Sequence, residues 1–245
     1  MHESLIPQRY KVLSNSALKV LATISMFVDH IAINFFAKDT TALFVLFGKV
    51  YTRYVVMRLF GRIAFPIFAF LLVEGFVHTH DRKAYGVRLF VFSLVSELAW
   101  DLLHGSKLFV PSSQSVFVTL FVGFVALNVA ERIVSNPPRD EALVSVLCLV
   151  GLFLVAAFAR ADYGTRGLGL ILALYLLREQ PALQAIVGSC MLINPVAASC
   201  AFIPINLYNG RRGFVRGRAL QLLFYAIYPL HMLLLYYLKT RVLVP

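Results

Sequence analysis

The sequence predicts an all-α fold, a polytopic transmembrane helical bundle, and three observations lead there. Of 245 residues, 60% are hydrophobic and only 14% are charged, against roughly a quarter charged in ordinary soluble domains. Mean hydropathy is +0.78. The apolar residues also arrive in runs close to the roughly 20 residues that a helix needs to cross hydrocarbon. A polar shell this thin covers no soluble core, so the bilayer is the solvent for most of the chain. Disordered, collagen-like and disulfide-stapled classes are excluded by the same figures.

About eight runs follow in order. They are Ala17–Phe36, Ile63–Val77, Val87–Leu103, Val116–Ala130, Leu143–Ala159, Leu168–Leu177, Ala182–Ile203 and Leu220–Leu238. The first carries Asp29 and His30 in its distal half and is followed by no small-residue cleavage pattern, so it reads as a span and not as a signal peptide. Between the first two, the apolar stretch Ala42–Phe47 is too short to cross. Lys49, Arg53 and Arg58 punctuate a helical pattern through Tyr54, Val55 and Leu59, which predicts an amphipathic interfacial helix over Thr41–Phe60. Leu168–Leu177 is short and Pro195 interrupts the next run, so one of them reads as a broken or re-entrant helix lining a protein-walled cavity. The longest polar connection, Asn206–Arg218, is only a loop, so residues 1–245 read as a single integral-membrane domain. No inverted repeat of the transporter kind is visible.

The net charge is +11, and the basic residues cluster at the ends of apolar runs. That placement predicts contact with anionic membrane lipids and no nucleic-acid partner. Lys and Arg divide almost evenly between the two sides of the predicted topology and set no orientation. Six predicted spans separate Arg58 and Arg62 from Arg211, Arg212, Arg216 and Arg218, so these groups are expected to share a side, with both termini opposite. Cys148, Cys190 and Cys200 lie in apolar stretches without metal-ligand spacing and are expected to be small packing residues, with no metal site.

Ionisable residues within apolar runs carry the functional signal, because each costs about 2.5–3.5 kcal/mol at the membrane centre and must be paired or hydrated. Asp29, His30, Arg62, Glu74, Glu97, Asp101 and His231 are such residues, and together they predict a shared polar cavity. Glu97 and Asp101 are four apart and project from one helical face, as do Arg58 and Arg62 with opposite sign. A bridge between those helices and a phosphate clamp made by the arginines are both open readings. Asp29 and His30 are neighbours about 100° apart around a helix and cannot form a dyad with each other. Either His30 faces the cavity while Asp29 pairs with an arginine on another helix, or Asp29 caps a local polar contact. An imidazole with its ordinary pKa near 6.5 suits a general base at neutral pH.

The strings ALKVLATISMFVDHI (Ala17–Ile31), RLFGRIAFPIFAFLLVEGF (Arg58–Phe76), SELAWD (Ser96–Asp101), ADYGTRG (Ala161–Gly167), LYNGRRG (Leu207–Gly213) and LFYAIYPLHMLLL (Leu223–Leu235) closely resemble the TraX family of membrane acyltransferases, in order and over nearly the whole chain. The family is named for the enzyme that acetylates the amino terminus of conjugative F-type pilin, and it is similar to a broader transmembrane acyltransferase superfamily that uses cytoplasmic acetyl-CoA. The resemblance implies acetyl-CoA as donor, His30 as the catalytic residue, and Arg58 and Arg62 as holders of the donor. It leaves the acceptor, protein or glycan, unidentified.

The residues fit that chemistry. Acyl transfer from a thioester needs a base for the proton of the incoming amine or hydroxyl, donors for the oxyanion and cations for the CoA phosphates. His30 supplies the base. An α-amine, with pKa about 7.7–8.0, must lose a proton before it attacks. Asp29, Glu97 and Asp101 are expected to orient His30 or accept that ammonium, and Glu74 and His231 to extend a proton path. Direct transfer and a route through acetyl-histidine use the same residues. Arg211 and Arg212, after the turn signal Asn209-Gly210, are a second candidate for the CoA phosphates, with lipid anchoring as the alternative. The expected protein is thus an acetyl-CoA-dependent acetyltransferase of the bacterial inner membrane. The rival is a proton-coupled transporter in which Asp29, Glu97, Asp101 and His231 relay protons.

Overall fold

Four of the helices begin where a side chain takes up a backbone N–H group that the first turn leaves over. Ser14 caps α1 (Asn15–Phe35), its hydroxyl accepting from the Ala17 N–H. Thr52 does the same for α2 (Arg53–Gly61). After α3 (Ala64–His78), Asp81 caps α4 (Arg82–Gly105) through the Ala84 N–H. There follow α5 (Val116–Val134), α6 (Arg139–Phe158), α7 (Gly164–Leu176) and α8 (Pro181–Cys190). Asn194 caps α9 (Pro195–Asn206), and α10 (Arg218–Arg241) ends the helical chain. These elements come from a computed structural model that describes residues 6–105, 110, 113–135 and 137–241.

Among the described residues five helices are long and apolar enough to cross a membrane: Asn15–Phe35, Arg53–His78 (α2 and α3 together), Val116–Val134, Arg139–Phe158 and Arg218–Arg241. The sequence reading of eight is not confirmed, on two grounds. Helices α7, α8 and α9 have only 13, 10 and 12 residues, about 15–20 Å at 1.5 Å per residue, too short for a hydrocarbon core of about 30 Å. The expected span Ala182–Ile203 is two helices, interrupted at Met191–Asn194 before Pro195. Helix α4 is long, but Arg88, Glu97 and Asp101 crowd its apolar stretch, and it is not among the five.

Thr41–Phe60 is corrected as well. Ala42–Leu46 (β1) pairs antiparallel with Lys49–Thr52 (β2), and helix begins only at Arg53. Phe47 and Gly48 both have positive φ, 50° and 74°, the geometry of a two-residue hairpin turn whose twist matches its strands. The β-branched and aromatic residues around it favour strand over helix. At the base of this hairpin Asp39 pairs with Arg53 at 3.0 Å and accepts the Thr41 N–H at 2.8 Å. The Thr41 hydroxyl and N–H, with Arg53, hold the Asp39 carboxyl below its ordinary range.

The chain forms two compact units, one from Ile6–Phe68 with the chain from Asn194 onward, the other from Ala69–Ile193. In the second, glycines admit close neighbours: a Cβ on Gly123 would overlap Ile171, and one on Gly86 would meet Phe124. Phe76 packs edge-on against Phe124 and Tyr175, with the Arg82 guanidinium 4.2 Å from its ring centre. Arg82 also forms a two-pronged ion pair with Glu131, joining the start of α4 to the end of α5. Helix α6 carries exposed Leu143, Val144, Leu147, Val150, Leu154 and Phe158, the surface of a helix solvated by lipid. The three cysteines are exposed, not packed in the core as expected.

In the first unit the directions of the helices are fixed by contacts along their lengths. The loop after α9 joins the start of α1: Asn15 N–H donates to the Arg211 carbonyl at 2.9 Å, Ser16 N–H to that of Arg212 at 3.1 Å, and Val215 N–H to the Ser16 hydroxyl at 2.8 Å. Helix α10 leaves that loop, meets His30 at His231, and reaches Asn34 with Lys239. Helices α1 and α10 therefore run parallel, and α2 runs back along α1. Two expectations fall. Arg58 does not share a level with the Arg211–Arg218 loop, because its partner Asp29 lies about 20 Å along α1 from Ser16. Residues 6–13 and Arg241 lie at opposite ends of the parallel pair, so if both helices cross, the chain crosses an odd number of times. In a background without the native cysteines, Cys at positions 11 and 216 is expected to react with an impermeant maleimide from one side, and Cys at position 49 from the other. Labelling of all three from the same side would refute the parallel arrangement.

Candidate functional site

Two neighbouring residues of α1 serve two different helices, as their 100° offset requires. Asp29 faces α2, where its Oδ2 pairs with Arg58 in a mostly buried contact, the side chains 15% and 19% exposed. The approach is possible because position 61 is glycine: a Cβ there would overlap the Asp29 carboxylate. One turn earlier on the same face, the Ser25 hydroxyl reaches the Phe60 carbonyl at 2.7 Å and the Gly61 carbonyl at 3.1 Å. Both carbonyls lie where the helix breaks between α2 and α3, and that of Phe60 also accepts the Ile63 N–H at 3.2 Å. Pro66 has no N–H for the Arg62 carbonyl, and its ring crowds it. Ser25, Asp29, Arg58 and Gly61 thus clasp α1 to α2.

His30 faces α10. Its Nδ1 lies 2.6 Å from His231 Nε2, and both residues are buried, 6% and 2% exposed. The ring planes are within 8° of parallel with centroids 4.9 Å apart. The N···N separation plus the two ring radii accounts for that whole distance, so the rings lie edge to edge in nearly one plane and the hydrogen bond is close to linear. Tautomers follow from the outer partner. His231 Nδ1 is 3.0 Å from the Ile227 carbonyl, which only accepts, so Nδ1 carries the hydrogen. With both rings neutral, His231 Nε2 is the acceptor, His30 Nδ1–H donates to it, and the lone pair of His30 is on Nε2. Tyr228 and Phe27 flank the pair, their ring centres 5.4 and 4.5 Å from that of His231.

The other expected site residues have contacts of their own. Glu74 is on α3, where its Oε2 lies 3.7 Å from His78 Nδ1. Glu97 accepts the Ser115 N–H at 2.9 Å, and Asp101 the Val110 N–H at 2.9 Å. Both carboxylates thereby hold the chain that leads into α5, while Arg58, one of the two arginines expected to bridge to them, is paired with Asp29. Glu74, Glu97 and Asp101 belong to the second compact unit, His30, His231, Asp29, Arg58 and Arg62 to the first. Arg211 and Arg212 are exposed in the loop at the start of α1, apart from Arg58. Ser25 and Gly61 were not foreseen. The signal for Ser25 was its place four residues before Asp29. That for Gly61 was its place between two arginines just ahead of Pro66. Among the described residues no group of three or more His, Cys, Asp or Glu could hold a metal ion.

A helical membrane-type protein whose two facing helices share a buried, hydrogen-bonded histidine pair is the class that fold and site define. The comparisons with known proteins carry this further. The family model described as TraX protein matches residues 14–239, and the chain belongs to the TraX family. It is also 26% identical over 238 residues to a protein of Dichelobacter nodosus described as a probable fimbrial assembly protein FimC, serogroup H1, the match covering 89% of this chain and 92% of the relative. No solved structure matches.

Removing the Asp29 charge leaves the Arg58 guanidinium without its counter-ion in a mostly buried place. Asp29→Asn is expected to destabilise the protein by about 3 kcal/mol, and adding Arg58→Gln to recover most of the loss, as measured by unfolding in detergent. An equal loss in single and double variants would show that the pair does not hold α1 to α2.

Proposed function

We propose that this protein is a membrane-embedded acetyltransferase that moves an acetyl group from acetyl-CoA to an amine, with the N-terminus of a pilin-like subunit as the favoured acceptor class and an envelope hydroxyl as the alternative. Membership of the TraX family and the description of the Dichelobacter relative as a fimbrial assembly protein support the acceptor class. The single observation that carries the chemistry is the His30–His231 pair, whose outer carbonyl partner leaves the basic nitrogen of His30 at Nε2.

In this reading the acceptor nitrogen attacks the acetyl carbonyl carbon as its proton passes to His30 Nε2. The C–S bond then breaks, and the CoA thiolate leaves with that proton, returning His30 to its neutral form. His231 acts through His30. It fixes the tautomer and shares the positive charge on the imidazolium, which is otherwise costly in an apolar setting. Asp29 is occupied by Arg58 and positions α1.

The donor phosphates are assigned to Arg211 and Arg212 in the exposed loop and not to Arg58, whose guanidinium is paired. Ser16 anchors that loop about 20 Å along α1 from His30. An extended pantetheine arm spans roughly 15 Å at about 3.6 Å per three backbone-like bonds, and an arginine side chain covers the remainder. The loop end of α1 is then the cytoplasmic one, in a bacterial inner membrane.

The test is purified protein in nanodiscs with isotopically labelled acetyl-CoA and a peptide bearing a pilin-like N-terminus. His30→Ala is expected to abolish label transfer, and turnover unchanged by it removes His30 from catalysis. His231→Ala is expected to lower kcat by about 10²–10⁴, the range for a base that is no longer held in its working form, with KM for acetyl-CoA unchanged. Arg211→Ala with Arg212→Ala is expected to do the reverse, raising KM for acetyl-CoA at least tenfold, or about 1.4 kcal/mol, at unaltered kcat.

A further inference from the structure

The hairpin β1–β2 packs no core beneath itself. Leu43, Phe44, Val45, Leu46 and Val50 are each about half exposed or more, and Phe47 at the turn is 94% exposed. The register places Val45 opposite Val50 on one face and Phe44 opposite Tyr51 on the other, the two rings stacked 5.0 Å apart. A hairpin built for water alternates apolar and polar residues so that one face is wetted. Here both faces are apolar. A two-stranded hairpin is also marginal on its own, and an exposed apolar patch of this kind marks a contact surface.

What covers it follows from its place. The hairpin joins the end of α1 to the start of α2. Helix α1 has 21 residues, about 31 Å, the thickness of a hydrocarbon core. Its far end, where the hairpin begins, therefore lies at a bilayer surface. A protein partner on one face would leave the other face in water, whereas an acyl-chain boundary wets both. The outer strand edges carry unpaired backbone groups, which cannot be buried in hydrocarbon but are satisfied by headgroups and water. Lys38 and Lys49 add positive charge for lipid phosphate at this level, while Arg53 is held at the base by Asp39 and the Phe36 ring.

We propose that Ala42–Thr52 is an interfacial lipid anchor, which seats Phe47 and the apolar strand residues in the headgroup–acyl boundary of an anionic leaflet, at the end of α1 opposite the Arg211–Arg218 loop. Its consequence is a fixed depth for α1, and with it for Asp29 and His30. The proposal stands independently of the acetyltransferase reading.

The experiment uses the full chain without its native cysteines, spin-labelled at position 47, 45 or 216, in nanodiscs of phosphatidylcholine alone or with phosphatidylglycerol. Relaxation by oxygen, which partitions into acyl chains, is compared with relaxation by a polar nickel chelate. Labels at 45 and 47 are expected to respond to oxygen over nickel severalfold more than the label at 216, and more so with phosphatidylglycerol, an increase that Lys49→Gln diminishes. A label at 47 as open to nickel as that at 216 would overturn the anchor. So would protection at 45 and 47 from both reagents, which would mean that protein covers the hairpin.

Discussion

An aspartate and an arginine placed in helices that cross hydrocarbon cannot stand alone, and the requirement that each find the other sets the geometry of the first compact unit. Asp29 reaches Arg58 only because Gly61 has no side chain, and Gly61 ends α2 just before the helix breaks ahead of α3. Ser25, one turn below, donates to the Phe60 and Gly61 carbonyls at that break. With Asp29 turned to α2, the 100° step of the helix turns His30 toward α10. The ion pair is thus a rotational lock on α1, and the histidine pair is formed on the face that the lock leaves over.

That arrangement sorts the ionisable residues into those that hold structure and those that can do chemistry. Asp29, Glu97 and Asp101 all accept hydrogen bonds from fixed donors, a guanidinium in one case and backbone N–H groups in the others. His30 and His231 differ, because imidazole both gives and takes a proton and because their chain of bonds ends on a carbonyl that can only accept. The exposed arginines of the loop after α9 lie at the start of α1, anchored by Ser16.

Much of this was legible in the sequence, for reasons that differ by residue. Composition and run length gave the helical membrane class, and α1, α5, α6 and α10 fall where long apolar runs predict them. The separate destinations of Asp29 and His30 followed from helical periodicity alone. The hairpin at Ala42–Thr52 was misread as helix because a short run of apolar residues carries no periodicity to tell strand from helix. The count of eight spans is not confirmed because hydropathy measures burial, and α7, with Leu168, Leu170, Ile171 and Leu174 fully buried, is apolar through packing against protein and only 13 residues long. For Arg58 a bridge and a phosphate clamp both stayed open, because nothing in the spacing of charges shows which partner is nearer. The pairing of His30 with His231, 201 residues apart, rests on the parallel course of α1 and α10, which no local pattern encodes.

The central claim is that His231 sets the working form of His30, and the tautomers measure it most directly. Nitrogen-15 NMR of the full chain in lipid, with labelled histidine and His30→Ala and His231→Ala for assignment, reports which ring nitrogen carries hydrogen at a pH where both rings are neutral. The account predicts hydrogen on Nδ1 of both residues and a coupling between His30 Nδ1 and His231 Nε2. Hydrogen on Nε2 of His30, or a His30 spectrum indifferent to the loss of His231, would contradict it.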